Sequence, residues 1–169
     1  MLSFLQGAAL TAATMTMGLM AGVFGIYAHA VMPGLDETDD RTFIGAFQAV
    51  DRAFMNPLFM LWFLGALAFS GLAAALHLGG APSVLPWIAA AVVLYAVVFV
   101  ITIAVHVPLN DALKAAGEPD RIADLAAVRE RFDAARWASW NVVRAIATTA
   151  AFGCLCWGLV QYGRTVLGP

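Results

Sequence analysis

The sequence predicts an all-α integral membrane protein. We expect a four-helix bundle, with an interfacial helix between the first and second spans and a helical stalk leading into the fourth. Two observations carry this. Hydrophobic residues make up 62% of the chain and charged residues 12%, where a soluble domain has about 45–50% and ~25%. The charges are also absent from three long stretches: Met1 to Leu35, Ala53 to Asn110 (His77 and His106 aside) and Ala145 to Gly163. A bilayer span needs ~20 apolar residues, so these runs hold one, two and one spans.

The first span is expected over about residues 4–31, stopped by Met32-Pro33-Gly34. No Lys or Arg precedes it and it is long for a signal peptide's apolar core, so it is expected to stay as helix 1. In "DETDDRTFIGAFQAVDRAFMNP", Asp39 or Asp40 can cap a helix on which Phe43, Phe47, Val50 and Phe54 recur at helical spacing. It reads as an amphipathic helix lying at the interface. The second span, about 56–78, opens at Asn56-Pro57, where proline suits the first helical turn. "HLGGAPSVLP" then makes a tight hairpin. The third span covers about 84–106, with Pro108 bending its exit. From Asp120 to Thr149 there is no Gly or Pro, so "RIADLAAVRERFDAARW" is expected to run straight into the fourth span, about 138–163. Together these form a single membrane domain over residues 1–169.

Charge placement sets the orientation. Arg41, Arg52, Lys114, Arg121, Arg129, Arg131 and Arg136 lie in the segments after helices 1 and 3, whereas Arg164 lies at the other end. The positive-inside rule makes the loop-rich side cytoplasmic and both termini periplasmic, as in a bacterial cytoplasmic membrane. All 11 acidic residues fall on that same side. A net charge of −2 says nothing about nucleic acid, but the Lys and Arg residues form no electrostatic footprint for it. Cys154 and Cys156 are two apart on a helix, so they face different sides and read as small hydrophobes.

The chemistry-bearing residues also gather at the loop-rich end. On helix 4, Trp137, Trp140, Asn141, Arg144 and Thr148 are spaced to share one face. A charge inside a span normally faces the bundle interior with a partner, so Arg144 is expected to pair with Asp111 or Asp51. On helix 1, Gly18, Gly22, Gly25 and His29 share a face, either as ordinary small-residue packing or as a glycine-floored groove for a flat ligand. His29 and His106 close helices that run in the same direction. They are therefore expected to converge on one site, with Met15, Met17 and Met20 as core filler.

Four stretches carry a resemblance: "VMPGL" closing helix 1, "NPLF" opening helix 2, "VPLND-L" from Val107 to Leu113, and "W-x-x-W-N-x-x-R" from Trp137 to Arg144. In these the chain resembles the DUF1772, or anthrone oxygenase-like, family of small four-helix membrane proteins, over essentially its whole length. It departs from the family pattern at His106, where asparagine is expected, and at His29. The resemblance implies an O2-dependent oxidase or oxygenase acting on a flat lipophilic phenolic or anthrone-like substrate, with no cofactor beyond O2. Such chemistry needs a base, for which His29 or His106 suits. It also needs donors to a developing oxyanion, available from Asn110, Asn141, Trp140 and Arg144. Asp111 would orient a histidine or balance Arg144, while Gly22, Gly25, Asn56 and Trp137 would bind substrate. Two alternatives stand beside it. One is a redox protein holding haem b or a transition metal between His29 and His106. The other is a non-enzymatic membrane subunit or lipid-binding protein. The partners expected are the lipid bilayer and a lipophilic small molecule, with no nucleic acid.

Overall fold

The computed structural model describes residues 1–80 and 82–167, so Ala81 of the expected hairpin lies outside the described residues. Among these residues there is no strand. Six helices follow one another: α1 (Leu2–Asp36), α2 (Asp40–Phe54), α3 (Pro57–His77), α4 (Leu85–Ala115), α5 (Leu125–Phe132) and α6 (Ala134–Leu167). The four long ones, α1, α3, α4 and α6, are apolar enough to cross a membrane. They pack as a ring, α1 on α3, α3 on α4, α4 on α6 and α6 back on α1.

Small residues let these helices approach. Ala9, Ala13, Ala66, Ala73, Ala91 and Ala151 are buried among Leu10, Met17, Met20, Ile88, Tyr95 and Leu155. This is the packing expected where lipid supplies no hydrophobic drive between helices. Met15, by contrast, is exposed rather than core filler. Gly18 marks a true close approach, since a Cβ there would lie 2.8 Å from the Phe152 ring of α6.

Both prolines behave differently from the expectation. Helix α1 does not stop at Pro33, nor does α4 end near Pro108; each passes its proline through a widened π-turn, Tyr27–Val31 and Thr102–His106. Proline offers no N–H to the carbonyl four residues back, and its ring crowds that carbonyl. The turn opens so that the amides of Met32 and Val107 donate instead to the carbonyls of Tyr27 and Thr102, five residues back. Such turns concentrate at functional sites. Here they carry α1 on to Asp36 and α4 on to Ala115, past the expected ends at residues 31 and 106.

Those extensions build a second core on the loop side. Met32, Phe43, Ile44, Phe47, Leu113, Phe132 and Trp137 are buried together. The interfacial helix α2 therefore lays its apolar face on protein, with Val50 outside it. Gln48, buried, donates to the carbonyls of Leu113 (2.8 Å) and Gly117 (3.0 Å), tying α2 to the end of α4. Arg129 of α5 clamps the α1–α2 connection, bonding Asp36 and Asp40 at 3.1 and 3.0 Å with its guanidinium over Phe43. The carboxylate of Asp39 caps α2 by accepting from the Thr42 amide and hydroxyl; those bonds hold it below its ordinary pKa.

The stalk is not continuous with helix 4. Asp133 sits in the left-handed region at φ 51°, ends α5 and then caps α6 by accepting from the Arg136 amide at 3.1 Å. Asp tolerates that conformation because its short polar side chain bonds locally. The break sends Phe132 into the loop-side core and starts α6 afresh.

Candidate functional site

Between the two cores the four helix ends leave a cavity of about 220 Å³. A cavity of ~150 Å³ accepts a benzene ring, so this one has room for more than a single ring. Its walls are Val23, Phe24 and Tyr27 of α1, Phe47, Asp51 and Phe54 of α2, Met55, and Phe59 of α3. The rest come from Thr102, His106, Val107, Asn110, Asp111 and Lys114 of α4 and Trp137, Asn141 and Arg144 of α6. Helical spacing explains the set: on α4 residues 106, 110 and 114 stack at four-residue steps, and on α6 residues 137, 141 and 144 follow at steps of four and three.

One part of the wall is a carboxylate network. The Trp137 indole N–H donates to Asn110 Oδ1 at 2.9 Å, and Asn110 Nδ2 donates to Asp51 Oδ1 at 2.8 Å. Lys114 Nζ then bridges Asp51 (3.2 Å) and Asp111 (2.8 Å). Another part is a cation. Arg144 is 5% exposed, donates to Thr102 Oγ1 at 3.2 Å and Asn141 Oδ1 at 2.8 Å, and stacks over the Phe24 ring at 4.4 Å. Asn141 is fixed in turn by donating to the Phe24 carbonyl at 3.1 Å.

His106 lies between them, its ring edge-on to Trp137 at 4.8 Å. Its Nε2 is 3.3 Å from the Trp137 carbonyl. A carbonyl only accepts, so Nε2 carries the hydrogen and Nδ1 is left with the lone pair. That Nδ1 and Arg144 Nε are buried with no partner among the described residues.

The structure thus brings together His106, Asn110, Asp111, Trp137, Asn141 and Arg144. It does not bring His29, Trp140, Gly22, Gly25 or Asn56 to the cavity. His29 is exposed, so the two histidines do not converge. The glycine face lies about half a turn around α1 from Met20 and Phe24, which are the residues that face the core. Nothing lies within 4 Å of a Cβ at Gly22 or Gly25, so they form no groove floor. Trp140 is 40% exposed. Asn56 caps α3, accepting from the Phe59 amide at 2.9 Å. Arg144 pairs with neither Asp51 nor Asp111, because Lys114 holds both carboxylates. His77, at the far end, is buried with Nδ1 2.7 Å from the Ala73 carbonyl.

Tyr27, Thr102 and Lys114 are cavity residues that the sequence did not single out. Lys114 is Asn110 plus four, a relation visible only if the helix is carried past Pro108. Thr102 and Tyr27 stand at the π-turns, which have no strong sequence signature.

Four membrane-capable helices around a largely apolar cavity that carries a few polar groups define a small polytopic membrane protein. The chain matches the anthrone oxygenase family profile over residues 51–154, and it belongs to that family, also designated DUF1772. Comparisons with curated proteins and with solved structures returned no match. The family match spans three of the four quoted motifs and every cavity residue except Val23, Phe24 and Tyr27 of α1 and Phe47 of α2.

Proposed function

We propose that this protein is an O2-dependent oxidase or oxygenase that converts a flat lipophilic phenolic or anthrone-like substrate inside the loop-side cavity. The observation that carries the reading is that one cavity is lined both by the imidazole of His106 and by the buried guanidinium of Arg144. A benzylic CH2 flanking a conjugated carbonyl is acidic, and its loss of a proton leaves an electron-rich enolate that reduces O2 directly. His106 Nδ1 takes that proton. Arg144 and Asn141 Nδ2 hold the developing oxygen anion in a site where fixed donors count for more than in water.

The enolate carbon then gives one electron to O2, and the carbon radical and superoxide combine into a C–O bond. His106 returns its proton to the distal oxygen, making a hydroperoxide. Loss of the remaining C–H proton with hydroxide breaks the O–O bond and leaves a C=O and one water. One CH2 and one O2 become one C=O and one H2O. Phe24, Phe59, Phe47 and Trp137 give the cavity an aromatic lining that suits a planar substrate. Exposed Met55 and Val107 on the same wall support access from lipid. A two-histidine haem or metal site fits less well, since only His106 lines the cavity. Among the described residues, no three His, Cys, Asp or Glu side chains gather as a metal site.

The test is anthrone oxidation by the purified full chain in uncharged detergent, followed by an oxygen electrode and by anthraquinone absorbance. One O2 should disappear per anthraquinone formed, well above the rate in empty micelles. A rate equal to that background counts against the proposal.

A further inference from the structure

The charges around the cavity do not cancel locally. Lys114 is shared by Asp51 and Asp111, which satisfies that cluster among its own members. Arg144 has neutral partners only, Thr102 and Asn141, besides the π-faces of Phe24 and Trp137. It takes part in none of the ion pairs among the described residues. The other titratable groups around it are Tyr27 on α1, Asp51 on α2, and Tyr95 and His106 on α4. The Tyr95 hydroxyl is already engaged, donating to the Phe63 carbonyl at 3.0 Å. A charge inside a span is costly and is ordinarily held there by a counter-ion. Here no counter-ion pairs with it among the described residues, and the Arg144 side chain lines a cavity large enough for a ring system.

We infer that the cavity selects a flat aromatic monoanion, an ionised phenol or enol whose oxygen docks on Arg144 and completes its ion pair. This rests on reading the cavity as the substrate site, and it specifies the form in which substrate is held there. The neutral acid arrives from lipid, its O–H bond breaks on docking, the electron pair stays on oxygen beside Arg144, and the proton passes to His106 Nδ1, the same base that the oxidase reading uses. For an anthrone-type substrate the same anion results whether the proton comes from carbon in the keto form or from oxygen in the enol form. Binding therefore prepares the species that O2 attacks. A rigid guanidinium fork suits this better than an ammonium, because it is weakly hydrated and stacks on Phe24 while donating.

The probe is alizarin, a flat hydroxyanthraquinone whose colour changes on ionisation, titrated across pH with the full chain in uncharged detergent. Bound alizarin should ionise about 1–3 pH units below its value in empty micelles, the effect of an arginine beside an acid. Arg144→Gln should abolish that displacement, while Arg144→Lys keeps part of it. Hydroxyl-free anthraquinone should bind wild type and Arg144→Gln alike, which checks that the variant keeps its cavity. Alizarin that fails to bind, ionises at its micelle value, or is displaced equally in Arg144→Gln overturns the inference. The readout uses no O2. Displaced ionisation without oxidase activity removes the oxidase reading alone, and oxidation with unmoved alizarin removes this inference alone.

Discussion

Trp137 does three things at once, and its surroundings show why it stands at this position. Its ring packs against Tyr27 and Phe47, its indole N–H holds Asn110, and its carbonyl fixes the tautomer of His106. Trp137→Phe keeps an aromatic ring and the carbonyl but leaves Asn110 Oδ1 without its donor. Unsatisfying a buried acceptor costs about 1–3 kcal/mol, whereas removing both partners is nearly neutral. Trp137→Phe should therefore lower stability in a denaturant titration by about that much, and a double-mutant cycle with Asn110→Ala, which subtracts the bond that Asn110 also makes to Asp51, should show the two residues coupled. A coupling of zero would mean that the bond does not matter. At this scale the sequence was informative where the helix stayed regular. Asn141 and Arg144 were legible as an inward face of the fourth span, and so was Trp137. His29, Gly22 and Gly25 share a face as expected, but periodicity alone does not say which face of a uniformly apolar helix points inward. Trp140 fell to the same ambiguity, one residue from Asn141.

The elements were legible in kind and less so in their ends. Apolar runs mark the four spans, and the Phe43–Phe47 spacing marks α2. Proline misled twice, because Pro33 read as a stop and Pro108 as a bend closing the third span, while the helices widen and continue. That continuation decides the site: it keeps Asn110, Asp111 and Lys114 on the helix that carries His106. The break at Asp133 went unseen for the opposite reason, since nothing but an aspartate marks it. A non-glycine residue in the left-handed region costs roughly 1–2 kcal/mol, and here the Arg136 cap bond offsets part of that. Asp133→Gly relieves the strain and loses the cap, while Asp133→Ala keeps the strain and loses the cap. Thermal melts should rank wild type and Asp133→Gly close together and Asp133→Ala clearly lower. An alanine variant as stable as wild type would mean that the Arg136 cap bond contributes nothing, and a glycine variant no more stable than alanine would mean that the α5–α6 break carries no strain.

Across the whole molecule, chemistry is gathered at one end. The bundle core is apolar and small-residue-packed, whereas the loop-side core of α2, α5 and the extended ends of α1 and α4 encloses the charged and aromatic cavity. Composition and charge placement made that asymmetry readable, but a cavity wall assembled from five helices with Lys114 as its bridge is a tertiary fact. The same asymmetry predicts topology, because Lys and Arg concentrate on the cavity side. A periplasmic phosphatase fused at the C-terminus should be active and a fluorescent protein that matures only in the cytoplasm should be dark; the reverse pattern would turn the cavity to the other side of the membrane.

The central claim is that oxidation takes place in this cavity with His106 as the base. Anthrone-dependent O2 uptake compared across wild type, His106→Ala and His29→Ala tests it most directly. Loss of a positioned base lowers a rate about 10²–10⁴-fold, so His106→Ala should fall by that order while His29→Ala, exposed and outside the cavity, stays within a factor of about two of wild type, well inside the tenfold that ~1.4 kcal/mol represents. Equal rates for His106→Ala and wild type, or a collapse in His29→Ala alone, would contradict it.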